Sequence, residues 1–164
     1  MTTEHVENQA GSQSGGHVMT VKDILLAKGS HVYVIAPDAT LQDAVGELVQ
    51  HNIGSLLVVR RDPDEGEQIL GIITERDVLR TCATERRKLD DMRVEDKMTR
   101  VVVTAQPNDP VEKVMGLMTQ NRIRHVPVLA DGKLVGIVSI GDIVKVQHDR
   151  LAVENKFMKD YIQS

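Results

Sequence analysis

Aromatic side chains are nearly missing from this chain. Tyr33, Phe157 and Tyr161 are the only ones, and there is no Trp. An RNA-binding platform that stacks bases on rings has nothing to stack them on. A core built around Trp or Phe is excluded too, so packing must rest on Val, Ile, Leu and Met. Cysteine is as scarce. Cys82 stands alone, which excludes an internal disulfide and a metal site of several thiolates, and fits a reducing compartment. No apolar run approaches the roughly 18 residues of a spanning helix. The N-terminus lacks a basic-then-apolar signal pattern, so the expected compartment is the cytoplasm, without membrane contact. Excess positive charge is lacking as well. A net charge of -4 speaks against a broad grip on nucleic acid.

What is present is an ordinary globular composition, 41% hydrophobic and 27% charged over 164 residues. That allows one domain, or two small units sharing a core. Residues 1–18 are polar and rich in Gly, Ser and Gln, and are expected to form a flexible tail, with order beginning near Val21.

The rest of the chain repeats itself. Pro37-Asp38-Ala39-Thr40-Leu41 lies 70 residues before Pro107-Asn108-Asp109-Pro110-Val111, and Asn52-Ile53-Gly54-Ser55 matches Arg122-Ile123-Arg124-His125 at the same offset. Gly71–Asp77 matches Gly136–Asp142 at an offset of 65, because the first copy carries a longer turn, Arg61–Gly66. The expected division is repeat 1 over 19–85, a solvated linker at 86–92, repeat 2 over 93–148 and a C-terminal helix over 149–164.

Each copy reads helix, strand, helix, strand, strand, helix. Val21–Leu26 is a short helix echoed by Val94–Met98, and Val32–Ile35 a strand echoed by Val101–Thr104. Thr40 caps a helix whose Leu41, Ala44, Val45, Leu48 and Val49 share a face, as Val111, Val114, Met115 and Met118 do after Pro110. Strands are expected at Ser55–Arg60, Gln68–Thr74, His125–Leu129 and Lys133–Ser139, with closing helices from Glu75 and Ile140. The fold class is therefore mixed α/β: two small three-stranded sheets with flanking helices, packed about a pseudo-twofold axis. Such symmetry creates two equivalent clefts, where a ligand would sit. The final helix carries Leu151, Phe157, Met158, Tyr161 and Ile162 in an irregular stripe interrupted by Glu154. It either folds back on its own domain or forms a dimer contact.

The main chemical signal is the block Gly-apolar-apolar-[Ser/Thr]-x-x-Asp, ending in Thr74 and Asp77 and again in Ser139 and Asp142. It places a hydroxyl and a carboxylate at a helix start, where free N–H groups and the dipole suit a phosphate. The carboxylate can accept from a ribose diol. The alternative is a capping box that only stabilises the helix. Recurrence after matching strands favours the ligand reading.

These blocks, with Val21–Leu25 and Arg122–Val128, resemble a tandem pair of cystathionine-β-synthase (CBS) domains, a Bateman module, from about Met19 to Val146. The resemblance implies a regulatory, non-enzymatic module that binds an adenosine compound: AMP, ADP, ATP, NAD or S-adenosylmethionine. No cofactor is required, a homodimer is expected, and the effector protein is unidentified. It implies two unequal pockets. One joins Ser139 and Asp142 to Arg124 and His125 as basic phosphate ligands, with Ala44, Ile53 and Gly54 as the adenine wall and Ile137 within its motif. The other joins Thr74 and Asp77 to Val114 and Ile123, with Gly54 and Ser55 in the basic positions and Arg76 compensating. The basic pair favours phosphates over the cationic S-adenosylmethionine. An enzyme acting on bound nucleotide would need a positioned base, for which only His125 is a candidate. A protein-interaction module with vestigial pockets is the other rival, against which Asp77 and Asp142 argue. Cys82 is expected as a small apolar residue on the helix after Asp77. His31, His51 and His148 lack metal-ligand spacing.

Overall fold

The computed structural model describes residues 16–100 and 103–164. Most of the expected flexible tail, and Val101–Val102 of the expected strand, lie outside the described residues. In chain order the elements are α1 (Val21–Lys28), β1 (Val34–Ile35), α2 (Leu41–His51), β2 (Ser55–Asp62), β3 (Gly66–Thr74), α3 (Glu75–Thr84), a 3-10 turn at Leu89–Asp91, α4 (Val94–Lys97), β4 (Thr99–Arg100), α5 (Val111–Asn121), β5 (His125–Ala130), β6 (Lys133–Ser139) and α6 (Ile140–Gln163).

The helix-strand order is the one the repeats dictate, and the corrections are local. β1 is shorter than the expected Val32–Ile35. The β2–β3 hairpin runs further outward, to Asp62 opposite Gly66, with its turn at Pro63–Glu65. The second hairpin closes on Asp131-Gly132, both at positive φ (50° and 75°), the pairing a two-residue primed turn requires. On α2, Leu41, Ala44 and Leu48 are buried, but Val49 is 76% exposed.

Among the described residues the sheets differ from two copies of three strands. β1-β2-β3-β4 form one sheet and β5-β6 the other. β4 leaves the second repeat and pairs with β3 at Gly71↔Arg100 and Ile72↔Thr99. The partner strand expected beside β5 reduces, among the described residues, to a parallel bridge between Ala105 and Val128.

The first helix of each repeat is exchanged. Val21 and Ile24 of α1 pack with Val111, Val114, Met118, Val126, Val138 and Ile143 of the second repeat. Val94 of α4, with Met92, packs with Leu41, Ala44, Leu48, Leu56, Val58 and Ile73 of the first. Met92 is thus core, not solvated linker. Backbone bonds mirror the exchange. Val21 N donates to Asp109 O (3.0 Å) and Lys22 N to Pro107 O (2.8 Å), as Val94 N does to Ala39 O (2.9 Å) and Glu95 N to Pro37 O (3.0 Å). Each fully buried aliphatic side chain in these cores contributes about 1.5–3 kcal/mol. The remaining sheet faces meet each other, with Leu57, Val59 and Ile72 against Leu134 and Ile137. This closes the apolar face that a lone repeat would leave open.

The exchange explains the glycine that opens each block. A Cβ at Gly136 would lie 2.6 Å from Leu25 of α1, and one at Gly71 would lie 2.6 Å from Thr99 O and 2.8 Å from Met98 Sδ. Each strand is bare where the exchanged segment crosses it.

α6 does not fold back on its own domain. Ile143 is its buried anchor, and every residue from His148 onward is exposed. Cys82 is also exposed, while Thr81 takes the buried position and donates to Asp77 O (2.8 Å). Among the described residues no helix is long and apolar enough to cross a membrane.

Candidate functional site

Both blocks form the capping box. Thr74 N donates to Asp77 Oδ2 (3.0 Å), and Asp77 N donates to Thr74 Oγ1 (3.2 Å). Ser139 N donates to Asp142 Oδ2 (2.8 Å), and Asp142 N donates to Ser139 Oγ (3.1 Å). The same box forms at Thr20–Asp23 and Thr40–Asp43, outside the repeated block. Capping alone therefore does not mark a ligand site, and the surroundings of each box must decide. The helices are seated alike: Glu75 N donates to Gly54 O (3.1 Å) and Ile140 N to Arg124 O (2.9 Å). Gly54 and Arg124 are structural counterparts, each next to its own helix start.

A cleft of about 520 Å³ opens at the first of these starts. Gly54, Thr74, Arg76 and Asp77 line it from the first repeat, and Ile123, Arg124 and His125 from the second. The cleft adds to the expected pairing, because His125 still lies opposite Ser139 in the β5–β6 hairpin and next to the Asp142 charge. Arg124 and His125 face Thr74 and Asp77 across the boundary, so one cleft takes both the basic pair and Arg76. The loop between α5 and β5 is turned toward the other repeat, where spacing along the chain carries no information.

Several lining residues escaped the sequence reading: Ile72, Arg80, Thr99, Arg100, Val103 and Arg122 among them. Arg80 follows Arg76 by one helical turn, a signal that spacing does offer. Arg122 is the C-cap of α5 in the left-handed region, φ 53°, where its counterpart Asn52 has φ 51°. Asn and Gly suit that conformation, whereas Arg there is costly. Arg76, Arg80, Arg100, Arg122 and Arg124 thus converge on one cleft, with Glu75 and Asp77 as its acids. Among the described residues none of the five is in an ion pair. A chain of net charge -4 so concentrates uncommitted guanidinium groups where an anion can enter.

Other expected site residues lie elsewhere. Ala44 and Val114 are fully buried, each inside its repeat's core. They face inward because α2 and α5 turn that stripe to the sheet, so neither walls a cleft. Ile53 packs against the first core, and Ile137 joins the contact between the two sheets. Ser55 pairs with Thr74 in the sheet.

Asp142 is differently engaged. Lys28, the last residue of α1, donates to Asp142 Oδ2 (2.6 Å) and to Ile137 O (2.7 Å). Burial pushes the Asp142 carboxyl up, but the Lys28 ammonium and the Ser139 N–H outweigh it, and the net position is below the usual carboxylate range. His125 lies below the ordinary imidazole value, chiefly through burial; nearby Asp142 raises it, while Lys28 and Arg124 lower it further. Burial thus favours the neutral imidazole over the charged one.

Comparison with known proteins agrees with this architecture. The CBS domain profile matches residues 19–83 and 94–149. The chain is 38% identical over 157 residues to the mitochondrial CBS domain-containing protein CBSX3 of Arabidopsis thaliana, covering 92% of this chain and 75% of that one. The CBS-domain protein ATU1752 from Agrobacterium tumefaciens has a similar structure, with TM-score 0.71 and 40% identity, covering 79% of this chain and 99% of that one. The CBS domain pair of MJ0100, solved with 5′-methylthioadenosine and S-adenosyl-L-methionine, matches at TM-score 0.66 and 31% identity, covering 82% of this chain and 99% of that one. This chain, with its two repeats and exchanged helices, belongs to the CBS domain family.

Proposed function

We propose that the cleft between the repeats binds an adenine nucleotide, and that the protein is a regulatory sensor rather than an enzyme. One observation carries this reading: five arginines, none of them ion-paired among the described residues, line the cleft at the Thr74–Asp77 helix start. The phosphates would lie among Arg76, Arg80, Arg122 and Arg124, where guanidinium groups offer paired donors. The ribose diol would donate to Asp77, whose Oδ1 lies outside the capping bonds. The aliphatic side chains of Ile72 and Ile123 would hold the base, so the scarcity of rings is no obstacle. The adenosyl ligands of MJ0100 support the nucleoside half of this reading. The arginines argue for an anionic ligand, AMP, ADP, ATP or NAD, over a cationic one.

Residues from both repeats contact such a ligand. It would shift the arrangement of the two halves to the extent that it binds one arrangement more tightly. The output would pass to an effector protein through a homodimer in which the exposed half of α6 takes part. The lone cysteine suits a reducing, cytoplasmic setting.

A thermal-shift series with adenosine, AMP, ADP, ATP, NAD and S-adenosylmethionine tests the reading. The midpoint should rise with phosphate number, and the rise should shrink with added salt. Equal shifts by adenosine and ATP, or none by any compound, would overturn it.

A further inference from the structure

The two helix starts are structural counterparts, but their surroundings are opposite. In the cleft with Asp77 stand Arg76, Arg80, Arg122, Arg124 and His125, the last also next to the Asp142 charge. At the corresponding positions around Asp142 the sequence places Gly141, Lys145, Asn52, Gly54 and Ser55. Only Lys145 keeps a charge. Among the described residues the cation that pairs with Asp142 is Lys28, and it comes from outside the pattern, on the exchanged helix α1.

We propose that Lys28 occupies the second nucleotide position from within, so that each chain binds a single nucleotide, at Asp77. This rests on the functional reading above. The ammonium donates to Asp142 Oδ2 at 2.6 Å, the oxygen that also caps the helix, and to the Ile137 carbonyl at 2.7 Å, so a charged group already stands against the carboxylate where a ribose would bind. A charge-assisted bond of this kind is stronger than one from a neutral hydroxyl. The Lys28 and Asp142 side chains are only 30% and 24% exposed, so water screens them less than it would a surface pair.

Placement of Lys28 is built into the fold. α1 is tied to the second repeat through Val21 N–Asp109 O (3.0 Å) and Lys22 N–Pro107 O (2.8 Å), and Leu25 seats on Gly136. Gly29, at φ 92°, turns the chain away immediately after Lys28, leaving its side chain over Ile137 and Asp142. The other exchanged helix, α4, is only 4 residues long. Its lysine, Lys97, pairs instead with Glu85, and Asp77 is left open to the cleft.

Titration calorimetry of the full chain with ATP, on wild type and Lys28→Met, tests this. Wild type should bind about one ATP per chain and Lys28→Met about two, the added site taking adenosine as readily as ATP because it lacks arginines. Asp142→Asn in the Lys28→Met background should return the count to about one. Two equivalents in wild type, or an unchanged count in Lys28→Met, would overturn the proposal. A second readout needs no nucleotide. The Asp142 carboxyl resonance should titrate at higher pH in Lys28→Met than in wild type, and an unmoved titration sinks the lysine contact alone. Absence of nucleotide binding by both proteins removes the functional reading and this proposal together.

Discussion

Gly71 lies directly beneath the Thr99 carbonyl, at a distance that leaves no room for a methyl group: a Cβ there would sit 2.6 Å from the oxygen. Its counterpart Gly136 would meet the end of the Leu25 side chain, also at 2.6 Å. A backbone carbonyl held in the β3–β4 pairing cannot move as a leucine rotamer can. Gly71→Ala should therefore cost about 1–3 kcal/mol, and Gly136→Ala less, as measured by urea unfolding. Equal losses would mean that the strand pairing gives way as easily as a side chain.

Arg122 makes a second testable contrast. Its φ of 53° is a conformation that Gly adopts without strain. Arg122→Gly should raise stability by roughly 0.5–1 kcal/mol, the relief of the left-handed strain less the entropy cost of glycine, and at the same time weaken ATP binding. An Arg122→Gly protein with unchanged ATP affinity would place this arginine outside the phosphate grip.

Arg124→Ala should weaken ATP about tenfold, equivalent to about 1.4 kcal/mol, and leave adenosine nearly unaffected. Asp77→Asn should weaken both, because every adenosine compound presents the same diol. Calorimetry on the two variants separates a phosphate contact from a ribose contact.

Acid should destabilise the protein through His125. Its folded pKa lies below the ordinary 6.5, burial being the main cause. Below pH 6.5 the unfolded chain therefore binds the proton more readily than the folded one. The contribution of the neutral imidazole is complete above pH 6.5 and falls away as pH drops toward the folded value. Asp142, also lowered, acts in the same direction at more acidic pH, below 3.8. Thermal midpoints between pH 7 and 5 should fall less steeply for His125→Gln than for wild type, and parallel slopes would refute this assignment.

Removing residues 150–164 should leave the thermal midpoint of the core unchanged, because none of them is buried. Sedimentation should show loss of self-association if Phe157, Tyr161 and their neighbours, 72% and 83% exposed for those two, form the contact between copies. An unchanged mass would assign that contact to another surface.

Much of this was legible in the residues themselves. The repeats fix the element order, and Leu41, Ala44, Leu48, Val111, Val114 and Met118 show by spacing which faces turn inward. Spacing could not show that α1 and α4 trade places, since Val21 and Val94 suit either core equally well. For the same reason it did not place Arg124 in the Thr74–Asp77 cleft as well. Local sequence says that a basic residue precedes a strand, but not which helix start it confronts across the boundary. Arg100 was hidden because β4 belongs in sequence to one repeat and in hydrogen bonding to the other. Lys28 was invisible because its partner is 114 residues away.

The traded helices also bear on how such a chain could arise. Two separate chains of one repeat each would complete their cores by passing the first helix to a twin, which is a domain-swapped pair. Joining them end to end turns that bimolecular swap into an internal one, at a high effective concentration. The duplicated halves are then free to diverge. One can gather arginines and the other lose them, with neither able to leave the partner on which its own fold depends.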